Sequence, residues 1–442
     1  MHPVIGAEQE QTKPMNIIER GWEFVERLQE LVGRSEWKWR HCPRCGSTHT
    51  NLHGSYLRRP WCFDGRKEVR VRRHYCHECK RTYSETIANL TTRSWYAREV
   101  HRCAIDHWQH LGTSFRRTAE VVRSWLGRQE RYELWQPLFK RGTGEHCYLS
   151  ASTVHRWLDR AGKEAERSVK GQLKGIVSSE VVGTDGLWVR LRGGTKRVAL
   201  MLVDSVTGVI WPPVVALGEE SEKAWQSLFE RGKQAGLELE MLRAVTSDGA
   251  RGLLSYLNHE LTWVQQQRCV WHMWRNLGKG IREAAAQAAS GLKGAAAEPE
   301  QKRVRRELSG LIREVLDAVS FADAEQALSA LGLHPLGAKL AQHLDREFDQ
   351  LLAHLVDYYK DLQRVAPEWC WRDFRQRLSR GRNHGSDARL ERAMLVWAIY
   401  HNFTPAQWRS ERKRHYRHPG LSPLEVAGVP PGKISYLDAL GV

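Results

Sequence analysis

Residues 178–218 have the sequence SSEVVGTDGLWVRLRGGTKRVALMLVDSVTGVIWPPVVALG, and this stretch decides the fold. Its three apolar runs are separated by turn segments at 192–194 and 205–208, which predicts antiparallel strands joined by tight turns. Two further strand candidates, MLRAVTSD at 241–248 and TWVQQQRCV at 262–270, each lead into a helical pattern. Three antiparallel strands followed by alternating strands and helices predict an α/β domain.

Helical patterns surround this domain. Residues 16–35 carry apolar side chains at helical spacing, and residues 96–163 continue in the same way with glycine interruptions. Residues 281–365 show only helical periodicity, with apolar positions three and four residues apart. The α/β domain is therefore expected to have all-helical neighbours in the chain.

The composition favours a polyanionic partner. Lys and Arg number 68 against 51 Asp and Glu, which gives a formal net charge of +17, and the chain holds 19 Trp. Such an excess attracts nucleic acid over long range, although a solvated basic surface is the plainer alternative. No apolar window of about 18 residues exists and the N-terminal stretch lacks a signal core, so we expect a cytoplasmic, nucleoid-associated protein without membrane contact.

Two Cys-x2-Cys pairs predict a structural zinc ribbon. Cys42 and Cys45 form one knuckle and Cys76 and Cys79 the other, and four thiolates satisfy a tetrahedral Zn²⁺ with no position left for chemistry. An odd total of nine cysteines fits one metal site plus buried thiols, and Cys62 is expected to be such a thiol. A mixed Cys/His set stays open because histidines flank the knuckles, and arginines around them suggest phosphate contact. The residues concerned are His41, His74 and His77, and Arg72, Arg73 and Arg81.

A helix-turn-helix is one interpretation of the segment that follows. Residues 114–126 and 150–163 are two helix candidates, the second capped by Ser150 or Ser152. An ordinary helical hairpin with solvated arginines explains the pattern equally well. In the first interpretation, a DNA groove is contacted by Thr153, His155, Arg156 and Arg160.

Asp185 and Asp248 are candidate metal ligands. One lies within a predicted strand and the other ends a strand nearby in the sheet, so their carboxylates can meet. Two ionised carboxylates at close range repel each other, and a divalent ion with oxygen ligands, Mg²⁺ or Mn²⁺, relieves this repulsion. A pair of such ions can activate an attacking hydroxyl and stabilise the leaving oxygen of a phosphodiester. Two turn aspartates at strand ends are the structural alternative.

The order of these motifs resembles the catalytic core of Mutator-like DDE transposases of bacterial insertion sequences, closely over residues 178–280. The resemblance rests on TDG in the first strand, an apolar hairpin, SDG at the fourth strand, and a strand that leads into Cys-x2-His and Arg-Asn. It implies an RNase H-like fold with an all-helical insertion before a third acid, and acids that bind Mg²⁺ to cut and join DNA ends. Asp185 and Asp248 then become the first two ligands, with Asp204 as a rival for the first.

The same resemblance implies a glutamate on a later helix as the third acid. GRNHGSDARLERAMLVWAIYHNF offers Glu391, although the usual Thr-Asn-x-x-Glu approach is altered to Ser386-Asp387-Ala388-Arg389-Leu390-Glu391. Glu368 is the reserve candidate.

The stretch RCVWHMWRNL at 268–277 holds Cys269 and His272 at a zinc-like spacing. No nearby pair supplies two further ligands, so Cys269 is interpreted as a packed thiol. We expect His272 to lie near the metal centre and to contact the scissile phosphate together with Arg275, whereas a histidine that caps the helix is the alternative.

These features predict a DNA transposase that nicks terminal inverted repeats and joins the freed 3′-OH ends to target DNA, as a homodimer or higher oligomer on double-stranded DNA. A transposase-derived DNA-binding regulator and another RNase H-like metal-dependent nuclease are the rivals. Further DNA contacts are predicted at Arg380, Arg382, Arg412, Lys413 and Arg414. The predicted organisation is an N-terminal helix (1–39), the zinc ribbon (40–90), a helical DNA-binding region (91–175), the catalytic domain (176–280 and 366–420), the helical insertion (281–365) and a tail (421–442).

Overall fold

A computed structural model describes residues 41–126, 149–168, 173–292, 296–356, 364, 367–380, 384–405, 420–430 and 435–442. The predicted N-terminal helix and the predicted DNA contacts Arg382, Arg412, Lys413 and Arg414 lie outside these residues, as does the side chain of Arg380. The described chain is a mixed α/β protein, as the sequence predicts. No helix in the described part of the chain is long and apolar enough to cross a membrane.

A small antiparallel sheet comes first. Strands β1 (Thr50–Arg58), β4 (Val69–Cys76) and β5 (Arg81–Ser84) pair in the order β1-β4-β5, and the short strands β2 (Trp61–Cys62) and β3 (Gly65–Arg66) pair with each other. Almost every residue of β1 is exposed, so this sheet buries little apolar surface. Its stability must therefore come largely from another source.

Three helices follow: α1 (Arg98–Leu111), α2 (Phe115–Trp125) and α3 (Ala151–Ser168). The α1–α2 connection is tight, because Gly112 ends α1 in the left-handed conformation and the Ser114 side chain caps α2 by accepting from the Arg117 N–H. Buried side chains at helical spacing join the three helices into one core, among them Ile105, Val122 and Leu158.

The central sheet has five strands in the order β10-β9-β6-β7-β8. The three antiparallel strands predicted from residues 178–218 are β6 (Val181–Arg190), β7 (Lys196–Asp204) and β8 (Val214–Ala216). Strands β9 (Ala244–Ser247) and β10 (Gln265–Arg268) run parallel to β6 on its other side. Strand β6 is therefore central, with β9 and β7 as its neighbours.

Helices cover both faces of this sheet. Helices α4 (Glu222–Ala235) and α5 (Arg251–Glu260) pack on one face, where Trp225, Phe229 and Leu253 are buried against alternate residues of β7. Helices α11 (Glu368–Arg380) and α12 (Asp387–Phe403) belong to the core that contains Leu187 and Met201, on the opposite face.

A separate helical core lies between the sheet and α11 in sequence. Helices α6 (Val270–Ala288), α7 (Ala297–Leu316), α8 (Phe321–Leu333), α9 (Ala338–Asp345) and α10 (Phe348–Leu351) share buried leucine, isoleucine and valine side chains. Two short helices close the chain, α13 (Pro423–Val426) and α14 (Tyr436–Ala439). Tyr436 of α14 donates a hydrogen bond to Asp106 of α1, at 2.6 Å.

Candidate active site and cysteine cluster

Asp185, Asp248 and His272 meet at one point beside the central sheet. Asp185 lies within β6, Asp248 follows the parallel strand β9, and His272 lies in the first turn of α6. One ligand atom from each side chain lies within 4.8 Å of the others. Helix α6 is held next to β9 because the Cys269 N–H bonds to the Ser247 carbonyl at 2.7 Å.

Local backbone geometry positions the two aspartates. Asp185 is 2% exposed, and its Oδ1 accepts a hydrogen bond from the Gly186 N–H at 2.9 Å. Asp248 Oδ1 accepts from the Ala250 N–H at 3.0 Å, which closes a turn onto the start of α5. Gly249 within this turn has φ +76°, and a Cβ there would collide with the buried guanidinium of Arg268.

The donor set of this group suits a divalent ion. Two carboxylates provide the oxygen ligands that Mg²⁺ and Mn²⁺ prefer, and an imidazole is compatible with Mn²⁺. Their convergence at short range in a partly buried setting is unfavourable for two negative charges without a cation. The residues present therefore fit a divalent metal ion.

Asp204, the rival for the first acid, has a different role. Its carboxylate accepts backbone N–H bonds from Ser179 at 2.5 Å, Val206 at 3.0 Å and Thr207 at 2.8 Å. These bonds hold the turn after β7, so the Asp204 carboxylate is engaged in structure.

The structure does not bring Glu391 to the two aspartates. Glu391 lies in the first turns of α12, is 19% exposed, and forms an ion pair with Arg231 of α4. Its other oxygen accepts from the Val215 N–H of the edge strand β8 at 3.4 Å. Glu391 thus lies beside the edge strand β8, and β7 separates that strand from β6, which carries Asp185. It is outside the Asp185–Asp248–His272 group.

The reserve candidate Glu368 begins a helix that lies close to β6. The ring of Pro367 packs on Gly183, since a Cβ added at Gly183 would lie 2.9 Å from Pro367 Cδ. Cys370, one turn into α11, is fully buried, and burial followed by the charges of Asp373 and Asp185 raises the pKa of its thiol. The backbone at Glu368 is therefore near Asp185.

Cys269 and Arg275 complete the candidates from this region. Cys269 is fully buried as the residue that precedes α6, as expected for a packed thiol. Arg275 is exposed and its guanidinium lies 5.6 Å from the centre of the Trp271 ring. It is thus on the accessible side of the helix that carries His272.

Sequence reasoning did not identify Glu220, a further acid at this site. Burial, and then the negative charge of Asp248, raise the pKa of Glu220 to about 7. Its signal in the sequence is weak, because Glu219, Glu220 and Glu222 form a run of acids that is typical of an exposed helix start.

Comparison with known protein families finds a match in the region that contains this group. Residues 180–330 match the family model described as "Transposase, Mutator family". This region is similar to Mutator-family transposases. A comparison with characterised proteins found no match. The matched residues include Asp185, Asp248 and His272, whereas Glu368 and Glu391 lie beyond them.

The chain carries a four-cysteine cluster in its N-terminal sheet. Sulfur atoms of Cys42, Cys45, Cys76 and Cys79 all lie within 4.8 Å of one another, with Cys42–Cys79 and Cys45–Cys76 distances of 3.5 Å. Tetrahedral Zn²⁺ with Zn–S bonds of about 2.3 Å has sulfur–sulfur edges of about 3.8 Å, so the cluster could hold zinc. Backbone N–H groups of Arg44 and Cys45 lower the pKa of Cys42, whereas burial and the neighbouring thiols raise the pKa of Cys79 to about 12.

The histidine alternatives at this cluster have other neighbours. His74 stacks on Tyr83 and His77 on His49, with ring centres 5.3 Å and 4.6 Å apart. Cys62 is buried, as expected, and lies in a different group with Asp64 and Glu99.

The predicted DNA-contact residues of α3 separate into two sets. Arg156 and Arg160 are exposed. His155 is half-buried against Phe115, with ring centres 5.1 Å apart, and Thr153 Oγ1 accepts from Arg156 at 3.1 Å near the helix start. The helix itself packs against α12, and of the four predicted contacts Arg156 and Arg160 are the exposed ones.

Proposed function

We propose that this protein is a DNA transposase that cleaves at the ends of its element and joins the 3′-OH ends to target DNA. The observation that carries the proposal is the convergence of Asp185, Asp248 and His272 in a region that matches the Mutator family. The five-stranded order, with three antiparallel strands followed by two parallel ones, supports an RNase H-like catalytic domain.

In this proposal Asp185 and Asp248 hold the divalent ions, Mg²⁺ or Mn²⁺. Such ions would activate the attacking water or 3′-OH and stabilise the leaving oxygen of the phosphodiester. We infer that His272 binds the scissile phosphate; its position at the positive N-terminal end of the 19-residue helix α6 supports this. Arg275, on the next turn of α6, would contact the backbone of the same DNA strand.

DNA binding is assigned to the N-terminal modules. Arg72, Arg73 and Arg81 are exposed on the small sheet, and a groove of about 710 Å³ beside it is lined by Arg58, Arg59, Arg93 and the exposed Trp95, among others. Exposed arginines also stand on α2, where Arg116 and Arg117 follow the tight turn from α1. A basic groove with aromatic side chains is typical of nucleic-acid surfaces.

The proposal includes assembly on DNA. Cutting and joining two element ends requires both ends in one complex, so a homodimer or larger oligomer on DNA is expected. Nothing in the fold of one chain tests this, and size measurement of the DNA complex is the appropriate experiment.

The decisive experiment replaces the aspartates. Asp185→Asn and Asp248→Asn should each lower Mg²⁺-dependent nicking of a supercoiled plasmid that carries the element ends by at least about 100-fold, since each removes a negative ligand. Binding to the same ends, measured by band shift, should stay within about twofold of wild type. The matched control is Asp204→Asn, whose carboxylate serves a turn.

The rivals give different results in the same assays. A DNA-binding regulator would bind the ends and never nick them, even as the unaltered protein. A nuclease of another class would nick but would fail to join pre-cleaved ends to a target plasmid. Either outcome would reject the transposase proposal.

A further inference from the structure

Glu220 is fixed against β6 by two glycines. A Cβ on Gly186 would lie only 2.8 Å from Glu220 Oε1 and 2.9 Å from its Cδ, so the carboxyl lies where glycine leaves room. A Cβ on Gly252, in the first turn of α5, would collide with the Glu220 carbonyl. The backbone of Glu220 is therefore locked to α5, and its carboxyl is pressed onto the residue that follows Asp185.

The surroundings of this carboxyl are unusual for an acid in a loop. The Trp188 side chain, as a hydrogen-bond donor, lowers the pKa of this carboxyl, against the larger opposing effect of burial. Glu220 Oε2 is nevertheless buried and has no hydrogen-bond partner among the described residues. A buried carboxylate oxygen without a donor is unfavourable by itself.

Asp248 adds a second unfavourable term. Burial has the largest influence on the pKa of Glu220, and the negative charge of Asp248 has the second largest; both raise it. Among the residues that the structure describes, no arginine or lysine charge acts on Glu220. Other acids in this part of the chain are paired, Glu391 with Arg231 and Glu347 with Arg268. A cation at the Asp185–Asp248 pair would offset the charges of Asp248 and Glu220 together, whereas protonation of Glu220 removes only its own charge.

We propose that Glu220 is a positioning residue of the divalent-ion site, whose carboxylate strengthens ion binding by Asp185 and Asp248. This inference rests on the proposed function, because it requires that the two aspartates bind the ion. Glu220 acts through its charge and through Asp248, and the chemical step itself is left to the residues assigned above.

The test replaces the charge and keeps the shape. Glu220→Gln keeps an acceptor for Trp188, and its matched control is Glu222→Gln, which removes a charge two residues away where Ser255 and His259 are the partners. Mn²⁺ affinity of the full chain is measured by calorimetry or electron paramagnetic resonance. We expect Kd to rise about tenfold in Glu220→Gln and to stay within about twofold in Glu222→Gln.

Two further readouts separate positioning from a structural role. Without metal, Glu220→Gln should keep or raise the Tm, since it removes an unfavourable buried charge, while the rise in Tm caused by Mn²⁺ should shrink. Half-maximal nicking should require about tenfold more Mg²⁺, with the rate at saturating Mg²⁺ within about threefold of wild type. The exposed variant Trp188→Phe, which leaves the fold core untouched, should weaken Mn²⁺ binding two- to threefold.

The outcomes are distinct. Unchanged Mn²⁺ affinity in Glu220→Gln, or a lower metal-free Tm with an unchanged metal-induced shift, would overturn the positioning role and leave the proposed function intact. An unaltered protein that binds no divalent ion would overturn the proposed function and this inference with it.

Discussion

A carboxylate that binds Mg²⁺ must reach within about 2.1 Å of the ion, and this condition makes Glu391 the most informative single residue. Its carboxylate is held by Arg231 and by the Val215 N–H, away from Asp185. Its assignment as the third acid comes from the resemblance and stays a prediction. Its helix packs on the Asp185 side of the sheet, so the assignment requires a movement at the start of α12 or of the Glu391 side chain.

The third acid can be identified by comparing two partners of one ion pair. If Glu391 is catalytic, Glu391→Gln should lower nicking at least about 100-fold, whereas Arg231→Gln should lower it by less than about tenfold. Both variants lose the same ion pair, so a purely structural role predicts equal losses and similar decreases in Tm.

Glu368→Gln belongs in the same series. Its helix begins beside Gly183 and Asp185. Retained activity in Glu391→Gln together with loss in Glu368→Gln would move the third acid to position 368.

At the scale of elements, the N-terminal sheet depends on its cysteines. Strand β1 is almost wholly exposed and the sheet has three strands, so the buried apolar surface is small for an independent module. Structural zinc contributes folding free energy in modules of this kind. Gly46 follows the first knuckle and has φ +73°, and Lys80 follows the second and has φ +54°. These positive φ values turn the chain so that the two thiols of each knuckle face the same point.

Metal analysis and proteolysis test this dependence. We expect about one Zn²⁺ per chain, lost in Cys45→Ser and retained in Cys103→Ser, a cysteine outside the cluster. Removing zinc with a chelator should make residues 41–85 the first region that a protease cuts, while the central sheet stays protected. A zinc-free protein whose N-terminal sheet resists the protease would show that the metal is dispensable.

At the scale of the whole molecule, buried neutral histidines make the fold sensitive to acid. Burial lowers the pKa of His101 to about 3, and of His384 and His401 to about 4. In the unfolded chain these histidines bind protons below about pH 6.5. In the folded chain they bind protons only when the pH falls to their lowered pKa values. The free energy of unfolding therefore falls as pH falls from about 6.5 to about 4.

The expected loss at pH 5 is about 2 kcal/mol for each fully buried histidine, relative to pH 7.5. Thermal unfolding across this range should show a falling Tm. The ring centre of the buried His101 lies 3.8 Å from that of Trp157. The variant His101→Gln should therefore reduce the slope of Tm against pH, whereas the same change at the exposed His53 should not. A Tm that is constant between pH 7.5 and 5 would contradict this account.

Some of this protein was determined by the sequence alone. Apolar runs predicted β6, β7 and β8, because the burial of a strand leaves an apolar pattern in its own sequence, independent of its neighbours. The two Cys-x2-Cys knuckles and the motifs around Asp185 and Asp248 were also visible, since their chemistry depends on local spacing. The Mutator-family match over residues 180–330 agrees with that interpretation.

Only the tertiary structure decided which distant groups meet. It provided the parallel pairing of β9 with β6 and the bond from Cys269 to Ser247, through which the predicted neighbour His272 reaches the two aspartates. It packed His155 against Phe115 of a neighbouring helix. It also pressed Glu220 onto Gly186 and paired Glu391 with Arg231. Periodicity shows which face of an element is buried, but the partner across that face depends on register and packing, which no single stretch of sequence encodes.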